Sequence, residues 1–347
     1  MNRRSAILAA VTSVVLLGGV VAAFVFAGGD QTPATTTSTT GAPTTTTTAA
    51  PVFPLTGLPV GDATVAGRPA LVVKVDNSDK ARERLAGPGA ADVVYVERVE
   101  GGATRLAVVF HSTDSDVGPV RSARTTDLDL TANLNRPLFA YSGANQGVLE
   151  RVRGANLIDL GYDVRPDDYQ LRGSGVLRFF IDTAAFFGFA PPDAGPPPPL
   201  FAFRKEGEAV SAAGAEDTAG VSIAYGGEAN TQVSYDVVEG GWARNQDGSP
   251  YVDASGSPIV PANVIVQFSD YRDSGFVDVV GSASPEAVTV GEGEAWVLTG
   301  GKLVRGRWSR PDPGSATTYT DSAGAPISLT PGRTWIELAP FGSAAPL

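Results

Sequence analysis

The chain has 347 residues, and its 37 acidic against 26 basic side chains give a formal net charge of −11. This acidic balance disfavours nonspecific binding to nucleic acid, which depends on many Lys and Arg contacts with phosphate. The chain contains no cysteine. That excludes disulfides, thiolate metal sites, cysteine nucleophiles and attachment of a lipid to an N-terminal cysteine.

The first 29 residues are typical of a membrane anchor. Arg3 and Arg4 precede a mostly apolar stretch from Ala6 to Ala27, and about 20 apolar residues suffice to cross a bilayer. Positive charge before such a stretch predicts a single-pass protein with a cytoplasmic amino terminus and an extracytoplasmic remainder. The alternative is a signal peptide cleaved at Ala27, which would make the protein secreted. Residues 30–53 are rich in Thr, Pro and Ala, and we expect a disordered stalk there because the apolar surface is too small to fold.

Beyond the stalk, the composition predicts an α+β protein with two domains. Residues 54–205 alternate strand-like and helix-like runs, which favours a mixed α/β layer domain. Residues 206–220 are small and acidic, as in a linker. Residues 221–347 contain almost only short strands and turns, which favours a smaller, mostly antiparallel sandwich or barrel. The expected strands are 70–75, 92–96, 105–110, 138–141, 221–225, 232–238, 263–268, 277–280, 287–290, 295–298 and 334–338, and the expected helices are 125–134 and 146–152.

The segment from Val99 to Arg124 combines glycine turns, one apolar strand and three arginines. Arg105 begins the strand, while Arg121 and Arg124 stand at the start of the next predicted helix, which Ser122 or Thr125 would cap. Guanidinium groups bind phosphate and carboxylate through paired hydrogen bonds. The segment therefore predicts an anion site, and the alternative is that its arginines pair with acidic side chains in a structural network.

Other side chains indicate alternative chemistries. His111 ends the apolar strand and would act as a general base only with a partner that the sequence does not identify. Asp76, Asp92, Glu97 and Glu100 carry the oxygen ligands that Mg²⁺ and Ca²⁺ prefer, but their spacing matches no known metal-binding loop. The sequence therefore assigns no catalytic residue, no metal site and no cofactor.

Several ordered blocks resemble the YerB-like family of bacterial envelope proteins. The resemblance spans most of residues 54–340 and implies a two-domain envelope protein, in a family whose activity is unknown. The blocks are PLTGLP at 54–59, RP at 68–69 with VDN at 75–77, ADVVY at 91–95, VEGG at 99–102 with TR at 104–105, GPVRSAR at 118–124, NVIVQ at 263–267, GRW at 306–308 and PGRTWI at 331–336.

Two departures from the family pattern bear on function. Members are commonly lipoproteins, whereas this chain lacks cysteine and carries an apolar anchor instead. The family also usually carries an arginine followed by a Pro-His-Asn block before its linker, and residues 172–185 read RGSGVLRFFIDTAA here. The absence of that histidine and asparagine favours binding over catalysis.

The sequence thus predicts a membrane-tethered extracytoplasmic protein that binds an anionic cell-wall or lipid-linked ligand. One alternative is a phosphotransferase or hydrolase of envelope polymers that uses a divalent cation. Another is a scaffold for envelope-assembly proteins. The expected partners are the ligand, the cytoplasmic membrane and such assembly proteins, and not nucleic acid. The predicted binding residues are Arg105, Arg121, Ser122, Arg124, Glu100, Asp76 and Asn77.

Overall fold

The computed structural model describes residues 50–278 and 281–347. The predicted membrane segment, its cleavage site and the stalk up to residue 49 lie outside the described residues. In the described part of the chain, no helix is long and apolar enough to cross a membrane. The last stalk residues belong to the folded body, since Val52 bridges to Pro59 and the buried Phe53 ring contacts the edge of His111.

A long mixed sheet brings together eleven of the described strands. One end of the sheet is antiparallel, whereas parallel pairs occupy the middle and the opposite edge, with two antiparallel pairs between these parallel regions. In spatial order the strands are β19 (Thr318–Thr320), β18 (Lys302–Arg310), β17 (Gly291–Thr299), β14 (Asn263–Phe268), β20 (Thr334–Ala339), β2 (Val93–Arg98), β3 (Thr104–Phe110), β1 (Leu71–Asp76), β5 (Leu138–Ala140) and β6 (Ile158–Asp159), with β9 (Ala215–Asp217) paired to β18.

The strand β20 joins the two halves of the sequence. It lies parallel to both β2 and β14, with Val94 opposite Trp335 and Val264 opposite the same residue on the other side. Strands of both predicted domains therefore share one sheet. The physical reason is that β2 is an apolar strand whose free edge would expose unpaired backbone groups. The predicted linker at 206–220 contributes β9 to the same sheet.

Smaller sheets and short helices flank the long sheet. The five-stranded sheet contains β13 (Ser249–Pro250), β12 (Gly241–Gln246), β11 (Gln232–Val238), β10 (Gly220–Ala224) and β21 (Ala344–Pro346) in spatial order. The other strands are β15 (Tyr271–Val277) with β16 (Ala283–Ala287), and β4 (Asp116–Val117), β8 (Phe179–Asp182) and β7 (Gln170–Leu171). The α-helices are α1 (Ala63–Gly67), α2 (Asp79–Arg82), α3 (Thr126–Ala132), α4 (Gln146–Gly154) and α5 (Thr183–Phe187), and single 3₁₀ turns span Glu100–Gly102, Pro166–Asp168 and Gly175–Leu177.

The central strands are buried on both faces. In β1, Val73 and Val75 enter one core, which they share with Trp242 of the five-stranded sheet, whereas Val72 enters the other, beside Leu130 of α3. A strand covered on both sides reads as a continuous apolar run, which is why β1, β2 and β3 were predictable from sequence. The described chain is mostly β, and the two expected helices are confirmed as α3 and α4.

Two glycines, Gly101 and Gly102, form the turn before β3, and close backbone packing requires glycine at the second of them. Gly102 has a φ of 83°, and a Cβ there would lie 2.0 Å from the carbonyl oxygen of Gly226. Gly101 has a similar φ of 69°, but a Cβ there would meet nothing within 4 Å. Both alanine variants incur left-handed strain of about 1–2 kcal/mol, and only Gly102→Ala adds a backbone clash.

We therefore expect Gly102→Ala to lower the free energy of unfolding by at least about 2 kcal/mol more than Gly101→Ala does, given the usual cost of overpacking. Urea denaturation of the two variants and the parent protein measures this difference. Equal losses for the two variants would show that the close approach to Gly226 does not constrain the turn.

Candidate functional site

A cleft of about 480 Å³ opens beside the ends of β1, β3 and β5. The structure brings five of the seven predicted binding residues to its lining, which are Glu100, Arg105, Arg121, Ser122 and Arg124. The other two, Asp76 and Asn77, are buried at the end of β1. The three arginines therefore converge, as an anion site requires.

The strands and one loop hold the arginines in place. Arg105 lies in β3 directly between Asp76 of β1 and Glu97 of β2 in the strand register. The loop that carries Arg121 and Arg124 is tied to the sheet by its backbone, since the Arg121 amide donates to the Lys74 carbonyl over 2.8 Å. The backbone that carries the guanidinium groups is thus already held by hydrogen bonds. Binding of a ligand would therefore cost little additional backbone entropy.

Two of the arginines pair with carboxylates. Arg121 Nε donates to Asp76 Oδ2 over 2.5 Å, while Arg124 contacts both oxygens of Glu100, each over 2.8 Å. Burial raises the pKa of Glu100, but the hydrogen bonds and charge of Arg124 outweigh it and hold that pKa at about 2. Burial likewise opposes ionisation of Asp76, but hydrogen bonds from Ser78 and the charge of Arg121 hold its pKa below the usual value. Both carboxylates are ionised at neutral pH.

A buried charge cluster lies behind the cleft. The Lys74 ammonium contacts Glu97 and lies 2.7 Å from Asp127 Oδ1, and all three side chains are essentially inaccessible to solvent. Asp127 Oδ2 also accepts a hydrogen bond from the Arg124 amide over 2.7 Å. This bond supports the start of α3. Thr125 occupies the N-cap position, as one of the two expected alternatives, but its side chain makes no capping hydrogen bond, and Ser122 lies upstream of that position. Burial, partly offset by Lys74, raises the pKa of Glu97 to about 7.

Arg105 differs from its two neighbours. Among the described residues, no carboxylate lies within ion-pair distance of its guanidinium, whose one hydrogen bond runs from Nη1 to the Ser122 carbonyl over 3.3 Å. The side chain is nonetheless only 8% exposed. Burial, together with the nearby charges of Arg124 and Arg121, lowers the pKa of Arg105 to about 10, and the charges of Glu100 and Asp76 oppose this only in part. Arg105 therefore remains charged at neutral pH without a direct ion pair to any described residue.

Asn77 has structural partners instead of a place in the cleft. Its side-chain amide donates to Thr104 over 2.7 Å and to Gln246 over 3.0 Å, and its oxygen accepts from Tyr251 over 2.5 Å. These bonds connect β1 to the five-stranded sheet. Asp76 acts on the cleft indirectly, through its ion pair with Arg121.

The groups considered for catalysis and metal binding do not assemble. Asp92 accepts hydrogen bonds from the backbone and side chain of Ser112 and from the His111 amide. Glu97 forms an ion pair with Lys74, and Glu100 forms one with Arg124. His111 is buried and its Nε2 lies 3.2 Å from the Ala66 carbonyl oxygen. Within the described residues, no group of three or more His, Cys, Asp or Glu side chains is placed to hold a metal.

Sequence reasoning missed the apolar wall of the cleft. It is formed by Val148, Val176, Phe179, Phe276 and Val277, which come from four separate segments of the chain. The loop after β5 also lines the cleft, through Ser142, Ala144 and Asn145. Its position could have been inferred if β1 and β5 had been predicted as parallel neighbours, because the carboxyl ends of parallel strands meet at one edge of the sheet.

Comparisons with known proteins confirm the resemblance. Residues 55–172 match the family model described as the N-terminal domain of a protein of unknown function, DUF3048, and residues 221–336 match its C-terminal domain. No protein with a curated description matches the sequence. The crystal structure of YerB from Bacillus subtilis is similar, with a TM-score of 0.71 and 20% sequence identity over 85% of this chain and 99% of that chain. At that identity, the likeness concerns the fold alone.

Proposed function

The chain belongs to the DUF3048 family, whose activity is unknown, and we propose from the chemistry of its cleft that it binds a small oxyanion through Arg105 and Arg121. The observation that carries this proposal is the buried, charged Arg105 without a carboxylate partner among the described residues. A desolvated cation is costly unless it is paired. An anionic ligand in the cleft would supply the missing partner.

The free hydrogen-bond donors support the same assignment. Nε and Nη2 of Arg105 and both terminal nitrogens of Arg121 make no hydrogen bond to the described residues. Arg124 instead uses its three nitrogens on Glu100 and on a backbone carbonyl. Arg105 and Arg121 therefore form the binding pair, and Arg124 serves as structural support for Glu100.

In this proposal the part of the chain that carries the cleft is extracytoplasmic. The apolar composition of residues 6–27 fits a membrane anchor that precedes this part in the sequence. The ligand then comes from the cell wall or from a lipid-linked precursor. Phosphate and carboxylate groups share the required chemistry, and the experiment below separates them.

We expect the full chain to bind inorganic phosphate or acetate, and Arg121→Gln to weaken that binding at least tenfold. The reason is that a charge-assisted hydrogen bond typically contributes about 1.5–3 kcal/mol. Isothermal titration with each ion measures the affinities and identifies the preferred oxyanion. The matched control is Arg307→Gln, which removes an exposed arginine outside the cleft. No binding by the parent protein, or equal binding by the parent and Arg121→Gln, would contradict the proposal.

A further inference from the structure

The mouth of the arginine cleft exposes apolar side chains. Val176, in a 3₁₀ turn, is 58% exposed, and Val277, at the end of β15, is 49% exposed. Single exposed valines are ordinary on protein surfaces. These two are different because both line one cleft, where Phe179 and Phe276 extend the apolar surface inward.

The aromatic rings of this wall pack against neighbouring parts of the protein. The guanidinium carbon of Arg178 lies 4.6 Å from the centre of the Phe179 ring, and that of Arg151 lies 4.9 Å from the centre of the Phe276 ring. The Phe276 ring also rests on α4 at Gly147, where a Cβ would lie 2.2 Å from the ring. The two rings are therefore packed against other side chains and against α4, and the arginines stacked on them do not line the cleft.

The lining of the cleft fits one anionic group better than a long polyanion. Among the described residues, the free guanidinium nitrogens in the cleft belong to Arg105 and Arg121, because Arg124 is occupied by Glu100. Further phosphates of a polyanion would lie against the apolar wall, where they would lose water without gaining these donors. A ligand with one compact anionic group followed by an uncharged portion avoids that cost.

We propose that the ligand is an amphiphile in which a phosphate or carboxylate is joined directly to an apolar group. The oxyanion contacts Arg105 and Arg121, and the apolar group covers Val176, Val277 and the rings behind them. This inference rests on the proposed oxyanion function and narrows it, since it favours a lipid-linked ligand over a wall polymer.

Chain-length dependence of binding tests the inference. We expect n-hexyl phosphate to bind the full chain roughly tenfold tighter than methyl phosphate, because burial of two of the additional methylenes accounts for that gain. Hexanoate against acetate makes the same comparison with a carboxylate. Isothermal titration provides all four affinities. Within each pair the head group is the same, so the gain in affinity of the longer ligand measures the apolar contribution.

The double variant Val176→Ser, Val277→Ser locates the apolar contact. We expect it to lose most of the hexyl gain while it binds methyl phosphate as the parent protein does. The matched control, Val164→Ser with Val237→Ser, alters two exposed valines outside the cleft and should keep the gain. Equal affinity for hexyl and methyl phosphate, or an undiminished gain in the double variant, overturns this inference and leaves the oxyanion function intact. Failure of every phosphate and carboxylate to bind overturns both.

Discussion

Arg105→Met should weaken oxyanion binding strongly and leave the protein as stable as before or more stable. Methionine keeps the length and apolar stem of the side chain but removes a desolvated charge that has no carboxylate partner among the described residues. We expect phosphate affinity to fall at least tenfold and the free energy of unfolding to stay constant or rise by about 1–2 kcal/mol, because the buried charge opposes folding. Calorimetric titration and urea denaturation of the same sample measure the two effects.

Arg124→Met is the matched comparison for this result. It leaves Glu100 largely buried without its bidentate partner, so we expect a loss of about 3 kcal/mol or more in the free energy of unfolding. The two substitutions therefore move stability in opposite directions although both arginines line one cleft. If Arg105→Met instead destabilises the fold as Arg124→Met does and phosphate still binds, Arg105 is a structural residue and the proposed function is wrong.

Lys74→Met has the largest expected effect on stability. The ammonium is the cation that both Glu97 and Asp127 contact, and neither carboxylate has appreciable access to water. Its removal leaves two neighbouring buried carboxylates, for which a loss of about 3–5 kcal/mol is expected. The loss also affects the cleft, because Asp127 holds the Arg124 amide. Urea denaturation measures the change, and the variant Lys74→Met, Glu97→Gln should recover part of it.

The same cluster predicts how stability depends on pH. Burial raises the pKa of Glu97 to about 7 in the folded protein from 4.5. The folded state then binds more protons than the unfolded state between these values. The contribution of Glu97 to stability is therefore complete below about pH 4.5 and falls as the pH rises towards 7. Glu97→Gln should remove this slope in urea titrations at several pH values, and an unchanged slope would assign it to other groups.

The ion pairs in the cleft distinguish the three arginines. Arg121 and Arg124 do pair with Asp76 and Glu100, as a structural network requires. Arg105 does not, although it lies in register between Asp76 and Glu97. Arg121 still has free terminal nitrogens because its ion pair uses only Nε. In the proposed function, Arg124 is therefore structural, and Arg105 and Arg121 contact the ligand.

The sequence by itself determined the central strands and the position of the arginine motif. The apolar runs of β1, β2 and β3 are long because both faces of these strands are buried, and such runs are local features of the chain. The motif is equally local, since Arg121 and Arg124 are separated by two residues and β3 begins just before Arg105. Strands of mixed polar and apolar composition, such as β12 and β18, escaped prediction because tertiary pairing decides their conformation.

The tertiary structure alone decided how the two halves combine and what the cleft contains. Nothing local in Thr334–Ala339 indicates that it pairs with β2, more than 200 residues away, because register between distant strands depends on the edges left free. Likewise, Val176 and Val277 are separated in sequence by about a hundred residues, and only the fold places them at one opening. The sequence motif identified three arginines. Their ion pairs in the structure distinguish Arg105, which has no carboxylate partner among the described residues, from Arg121 and Arg124, which have one each.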